Sequence, residues 1–165
     1  MPTLSRIFAS ALLLAAPAAF AQSSASASAT VKINKAILLT KDTDMDFGDV
    51  YASDTAAGTV VLTTADTATP TGVLLGTTTP TSAAFTVAGA NNKTYAITLP
   101  GSVTLSNGAQ TMTVDAFTSN PNGTGTLSNA GSQTLKVGAT LHVGQSQAEG
   151  TYTSTAPFTV TVGYN

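Results

Sequence analysis

The sequence has no cysteine, no tryptophan and one histidine, and only 8% of its 165 residues are charged. Without cysteine there is no thiol catalysis, no iron–sulfur cluster and no zinc–thiolate site. The disulfide staples common in small exported domains are missing too, so stability rests on the core or on a partner that completes it. No basic patch is present, which argues against nucleic acid as a partner. So few charges leave a surface much less charged than soluble domains usually have. Coverage of that surface by other copies of the chain is one explanation. No apolar stripe at 3.6-residue spacing runs along the chain, so no amphipathic helix is expected.

What is present is hydrophobic and β-branched. Hydrophobic residues make up 42% of the chain, and Thr, Ala, Ser, Gly and Val dominate. Thr and Val suit pleated strands. Disordered chains combine low hydrophobicity with high charge, and this one has neither. The length fits one domain. At the start, Arg6 precedes an uncharged apolar run from Ile7 to Ala19, followed by Ala19-Phe20-Ala21. This pattern predicts a secretory signal peptide over residues 1–21, cut after Ala21. The run is too short for a membrane span, which takes about 20 apolar residues. Removal of Arg6 leaves five basic residues against eight acidic, a formal charge of −3. No later segment is apolar enough to span a membrane, so the expected location is the periplasm and beyond, at the cell surface or secreted.

The rest of the chain alternates with period two, the signature of strands with one apolar face. Ala25, Ala27, Ala29, Val31, Ile33, Ile37 and Leu39 share one parity, with Lys35 the only break. The run exceeds the usual strand of about 5–6 residues. It reads as two strands bent near Lys35, or as one strand plus an extension. In the tail, Tyr152, Phe158, Val160, Val162 and Tyr164 share a parity opposite Thr159, Thr161 and Gly163. Between the ends, Gly58–Thr64 and Gln133–Val143 read as strands. Ala83–Ala88 and Lys93–Leu99 flank Gly89-Ala90-Asn91-Asn92 as a hairpin. Asn107-Gly108 is a second hairpin turn, because both residues tolerate positive φ. About seven short strands with regular turns predict an all-β sandwich with an extended N-terminal strand.

Few residues invite chemistry. Asp42, Asp44 and Asp46 alternate as in the start of a calcium loop. However, Gly48 comes one position late, and Ser53 stands where the bidentate Glu belongs. The expectation is a solvated edge turn ahead of Phe47, which plugs the core. His142 lies in a strand between Leu141 and Val143 and faces outward, with no evident nucleophile or carboxylate partner. Gly-x-Ser-x-Gly and phosphate-loop patterns are absent. Asn92-Lys93-Thr94 and Asn122-Gly123-Thr124 fit turn chemistry. No catalytic residue, metal ligand or cofactor is assigned, and the chain is not expected to be an enzyme.

The ends carry a resemblance. The alternating tail with Tyr164 next to last, and Gly150 in phase with it, resembles the final strand of chaperone–usher fimbrial subunits. Asp46-Phe47-Gly48-Asp49-Val50 resembles a segment of Mat/Ecp-type subunits and spore-coat-U-like domains. A large bacterial domain family of unknown function shares this layout. It has an alternating N-terminus, a Phe-Gly segment, Gly138-Ala139-Thr140-Leu141, and a Phe-x-Val-x-Val-x-Tyr ending. Many such subunits hold a disulfide, and this chain has none. The resemblance implies donor-strand complementation, in which an immunoglobulin-like sandwich lacking a strand is completed by an extended segment of another subunit. Residues 22–34 would be the donor, inserting Ala25, Ala27, Ala29, Val31 and Ile33. Residues 35–165 would be the sandwich, with Phe158, Val160, Val162 and Tyr164 lining the acceptor groove. Partners would be other copies or related subunits in an adhesive, biofilm-forming fimbria, with a periplasmic chaperone and an outer-membrane usher. The alternative is a freestanding exported module binding carbohydrate or matrix, although such modules present clustered aromatics. An exported hydrolase is the third reading.

Overall fold

A computed structural model describes residues 22–165; the predicted signal peptide lies outside them. Among the described residues there are strands and no helix. They are β1 (Leu38–Thr43), β2 (Val50–Tyr51), β3 (Gly58–Leu62), β4 (Ala68–Thr71), β5 (Leu74–Leu75), β6 (Ala83–Ala88) and β7 (Thr94–Thr98). Then follow β8 (Ser102–Asn107), β9 (Gln110–Asn120), β10 (Thr124–Thr126), β11 (Ser132–Val143), β12 (Thr153–Ser154) and β13 (Thr161–Tyr164). The large antiparallel sheet runs β1-β6-β11-β9-β8-β12, with β3 on β11 and β4 on β3. A three-stranded sheet, β10-β7-β13, forms the second layer, and β2 pairs with β5 as a ribbon. The fold is all-β and sandwich-like, and residues Ile33–Asn165 make one compact unit.

Alternation decides what is buried. In β6, Ala83, Phe85 and Val87 are buried, while Ala84, Thr86 and Ala88 are partly exposed. In β11, Leu135, Val137, Ala139, Leu141 and Val143 all face the core. Each such Val or Leu, fully buried, is worth about 1.5–3 kcal/mol. The core has two clusters. Phe47, Val60, Leu62, Val114 and Leu141 anchor one. Phe85, Val87, Tyr95, Leu127, Leu135 and Val160 anchor the other. Met45 and Phe117 touch both.

β11 serves both clusters because it changes partners. It pairs with β6 through Val137 and with β3 from Ala139 onward. Gly138 sits at the change, where an added Cβ would overlap the Leu62 carbonyl oxygen. A close backbone approach of this kind is a recurrent use of strand glycine. Opposite it, β9 carries an extra residue between the Thr118 and Asp115 pairings, with Ala116 at φ 48. That is a bulge, and it sharpens the local twist.

Three sequence expectations change. Ala83–Ala88 and Lys93–Leu99 do not form a hairpin: β6 lies in the large sheet and β7 in the small one. The connection instead arches over the core, because its backbone bonds go elsewhere. Gly89 N–H donates to Gly131 O (2.9 Å) and Asn92 N–H to Ser128 O (3.2 Å). Val87 and Tyr95, one from each sheet, belong to the same buried cluster. The β8–β9 hairpin forms as expected, but Asn107 pairs with Gln110. Gly108 (φ 59) and Ala109 make the turn, one position later than predicted. The tail is not one strand, since β12 ends at Ser154, well before β13 begins. Pro157, in the interval, has no N–H to give a ladder.

Candidate functional site: an open strand edge and an unpaired arm

β13 pairs with β7 in the register Thr161↔Thr98, Val162↔Ile97, Gly163↔Ala96 and Tyr164↔Tyr95. Ile97 N–H is directed at β10, to Gly123 O (2.8 Å). Asn165 N–H turns inward to Thr94 O (3.4 Å). In an antiparallel ladder successive residues point their backbone groups to opposite sides. Val162 and Tyr164 therefore direct their N–H and C=O away from β7. On that side no strand pairs with β13 among the described residues. β1 likewise has a single neighbour, β6, and comes close to β13 without pairing to it. Two sheet edges thus lie next to each other, and such edges are templates for an added strand.

The apolar surface under these edges is incompletely covered. Ile37, Leu39, Ile97, Leu99, Phe158 and Val162 pack on the second cluster but stay partly exposed. Val160 is buried. Phe158 meets Phe85 edge-on (6.5 Å between ring centres, 77°) and Phe117 at a tilt (5.3 Å). Tyr164 closes one end, where its hydroxyl accepts from Ala90 N–H (2.6 Å) and donates to Lys35 O (2.9 Å). It fits because Gly89 has no side chain to obstruct the hydroxyl. The structure thus brings Phe158, Val160, Val162 and Tyr164 to one region, on and just before β13.

The arm is different. Residues 22–37 carry no strand, and Ala25, Ala27, Ala29, Val31 and Ile33 are all exposed. Val31 is 83% and Ile33 89% exposed. Of the two readings of the alternating N-terminus, the structure has one strand, β1, preceded by an extension.

Residues 37–164 match the family described as DUF4402, a domain of unknown function. The chain belongs to that family. The match begins where the arm meets β1, so the DUF4402 domain takes in both open edges and the whole core. No curated protein and no solved structure matches the chain.

The other singled-out residues of this DUF4402 domain are dispersed. Asp42 accepts from the Thr86 hydroxyl (2.8 Å), Asp44 pairs with Lys41 (2.7 Å), and Asp46 caps Gly48 N–H (2.8 Å). Phe47 is buried behind them. Among the described residues no group of three or more His, Asp or Glu could hold a metal ion. No helix of the described residues is long and apolar enough to cross a membrane.

Two polar features escape sequence reading. His142 Nε2 lies 2.8 Å from Asp115 Oδ1, on the outer face of the large sheet. His142 is opposite Thr113, so Asp115 is its diagonal neighbour. The bulge at Ala116 sets that register, and sequence spacing does not reveal it. Asp66, in the β3–β4 turn, accepts from Ser82 N–H (2.8 Å) and Oγ–H (2.6 Å) and pairs with Lys136 of β11. Lys136 first, then Ser82, hold its carboxyl down at about 2. Asp66 thereby clasps a turn to β11 and to the residue that leads into β6.

Proposed function

We propose that the mature chain is a structural subunit of an exported, fimbria-like polymer, in which the arm of one copy adds as a strand to the free edge of β13 in the next. One observation carries the reading: complementary deficits in a single chain. An unpaired edge overlies a half-covered apolar row, and an alternating segment holds Val31 and Ile33 in solvent. Strand addition answers both. The arm's backbone would bond to Val162 and Tyr164, and its odd-numbered side chains would enter between β1 and β13. Ala25, Ala27 and Ala29 offer methyl groups only. At about 0.8 kcal/mol per buried carbon, Val31 and Ile33 supply most of the apolar gain.

The joint is heterologous, one copy's arm on another copy's edge, and such contacts propagate as filaments. The low charge of the chain and its lack of disulfides agree with a surface largely covered by copies. The resemblance to fimbrial subunits adds a periplasmic chaperone and an outer-membrane usher as assembly partners. In this reading the domain is adhesive or structural and has no catalytic role.

The test compares the mature chain with a version lacking residues 22–34, by electron microscopy and sedimentation. Filaments or long oligomers are expected from the first and none from the second. Monomers from both, at high concentration and with chaperone present, would leave the freestanding binding module as the better reading.

A further inference from the structure

Tyr164 belongs to both halves of the joint. Its backbone lies on the free edge of β13, and its hydroxyl holds the root of the arm at Lys35 O (2.9 Å). Among the described residues no other side-chain hydrogen bond reaches residues 22–37. The same hydroxyl is fixed by Ala90 N–H (2.6 Å), at the arch joining the two sheets. β13 has four residues, one neighbour, and a final bond to β7 of 3.4 Å at Asn165. A short edge strand of this kind opens locally at low cost.

We infer that Tyr164 couples receiving to giving: a donor strand on β13 steadies the root of the same subunit's arm through the Tyr164–Lys35 bond. The inference rests on the donor-strand reading of this edge and adds a regulation to it. Pairing on both sides makes β13 an interior strand, which restrains Tyr164 and with it the carbonyl of Lys35. A subunit whose groove is filled then presents its arm from a fixed root, ready for the next copy. A subunit with an empty groove holds the arm less firmly. Growth from filled subunits is favoured over random pairing. Coupling of this sort is reciprocal, so restraining the arm also favours donor binding. Tyr164 is here a positioning residue, acting through the backbone of Lys35.

Amide exchange and backbone relaxation on the dilute mature chain test this, with and without excess peptide spanning Ser23–Ile33: exchange reads β13, and the backbone order parameter reads the arm root. In the wild type, peptide should slow exchange in β13 and raise the order parameters of Ala36 and Ile37 toward the value of about 0.85 for rigid backbone. In Tyr164→Phe, which keeps the ring, peptide should bind more weakly, by the factor the lost coupling sets, and at saturation should still protect β13 but leave Ala36 and Ile37 unchanged. Peptide that protects β13 in the wild type without ordering the arm root overturns the coupling and leaves the donor-strand reading standing. Equal ordering in Tyr164→Phe overturns it as well. Peptide that does not bind at all overturns both.

Discussion

Replacing Ile33 by alanine separates a residue that is merely exposed from one that waits for a partner. In the free subunit Ile33 is 89% exposed. An exposed substitution away from caps and buried networks changes stability by about 0.5 kcal/mol or less. In the joint the same side chain would be buried, and alanine removes three of its carbons. At about 0.8 kcal/mol each, the joint loses roughly 2.4 kcal/mol. That weakens subunit association about 60-fold. Ala25→Gly, losing one methyl, should weaken it only about fourfold on the same scale. Sedimentation velocity over a concentration series reads the association constant, and thermal melting of the monomer reads the subunit. The expected pattern is strong loss of association with unchanged melting for Ile33→Ala, and a mild loss for Ala25→Gly. Unchanged association in Ile33→Ala would refute the reasoning. So would a monomer destabilised by as much as the joint, because Ile33 would then be a core residue of its own subunit.

Three further outcomes test the fold. Asp66 is held at about 2, against 3.8 when free, so its stabilisation is present above about pH 4 and is lost as pH falls toward 2. The shift caps that contribution at roughly 2.5 kcal/mol. With Lys136 34% and Asp66 37% exposed, screening brings it nearer to ~1 kcal/mol. Denaturant unfolding at pH 6 and pH 2 should show Asp66→Asn losing about that much less than wild type over the interval; equal losses would discount the clasp. Gly138→Ala forces a methyl onto the Leu62 carbonyl and should cost about 1–3 kcal/mol, read as a melting point several degrees lower. Tyr95→Phe removes the bond to Gln133 Oε1 (2.8 Å) but leaves that oxygen the Thr126 N–H (3.0 Å). Urea unfolding should therefore show a loss of only about 1 kcal/mol.

Much of this architecture is legible in the residues, and the failures share a cause. Period-two alternation predicts β6 and β11 within a residue or two, because each buries one face and the pattern is direct evidence of which. It says nothing about which sheet a strand joins. That is why β6 and β7 read as a hairpin although they arch between layers: the deciding bonds, from Gly89 to Gly131 and from Asn92 to Ser128, link segments far apart in sequence. The β8–β9 turn slips by one because Asn107 serves the ladder, and its side chain also donates to Glu149 O (3.3 Å). Phe158, Val160, Val162 and Tyr164 lie together on and just before β13, and their shared parity is that of one apolar face. Tyr152, of the same parity, is instead drawn to Gln147 (2.8 Å), because the tail is interrupted. The His142–Asp115 pair depends on a one-residue bulge, and the Tyr164–Lys35 bond on the meeting of two chain ends. Neither leaves a spacing to detect.

The most direct measurement is the melting temperature of residues 35–165 alone, with and without the Ser23–Ile33 peptide. A peptide at a hundred times its dissociation constant should stabilise the domain by about 2.7 kcal/mol, several degrees for a domain of this size, and a scrambled peptide should do nothing. A domain whose melting is indifferent to the peptide would contradict the open edge as a site for another copy's strand.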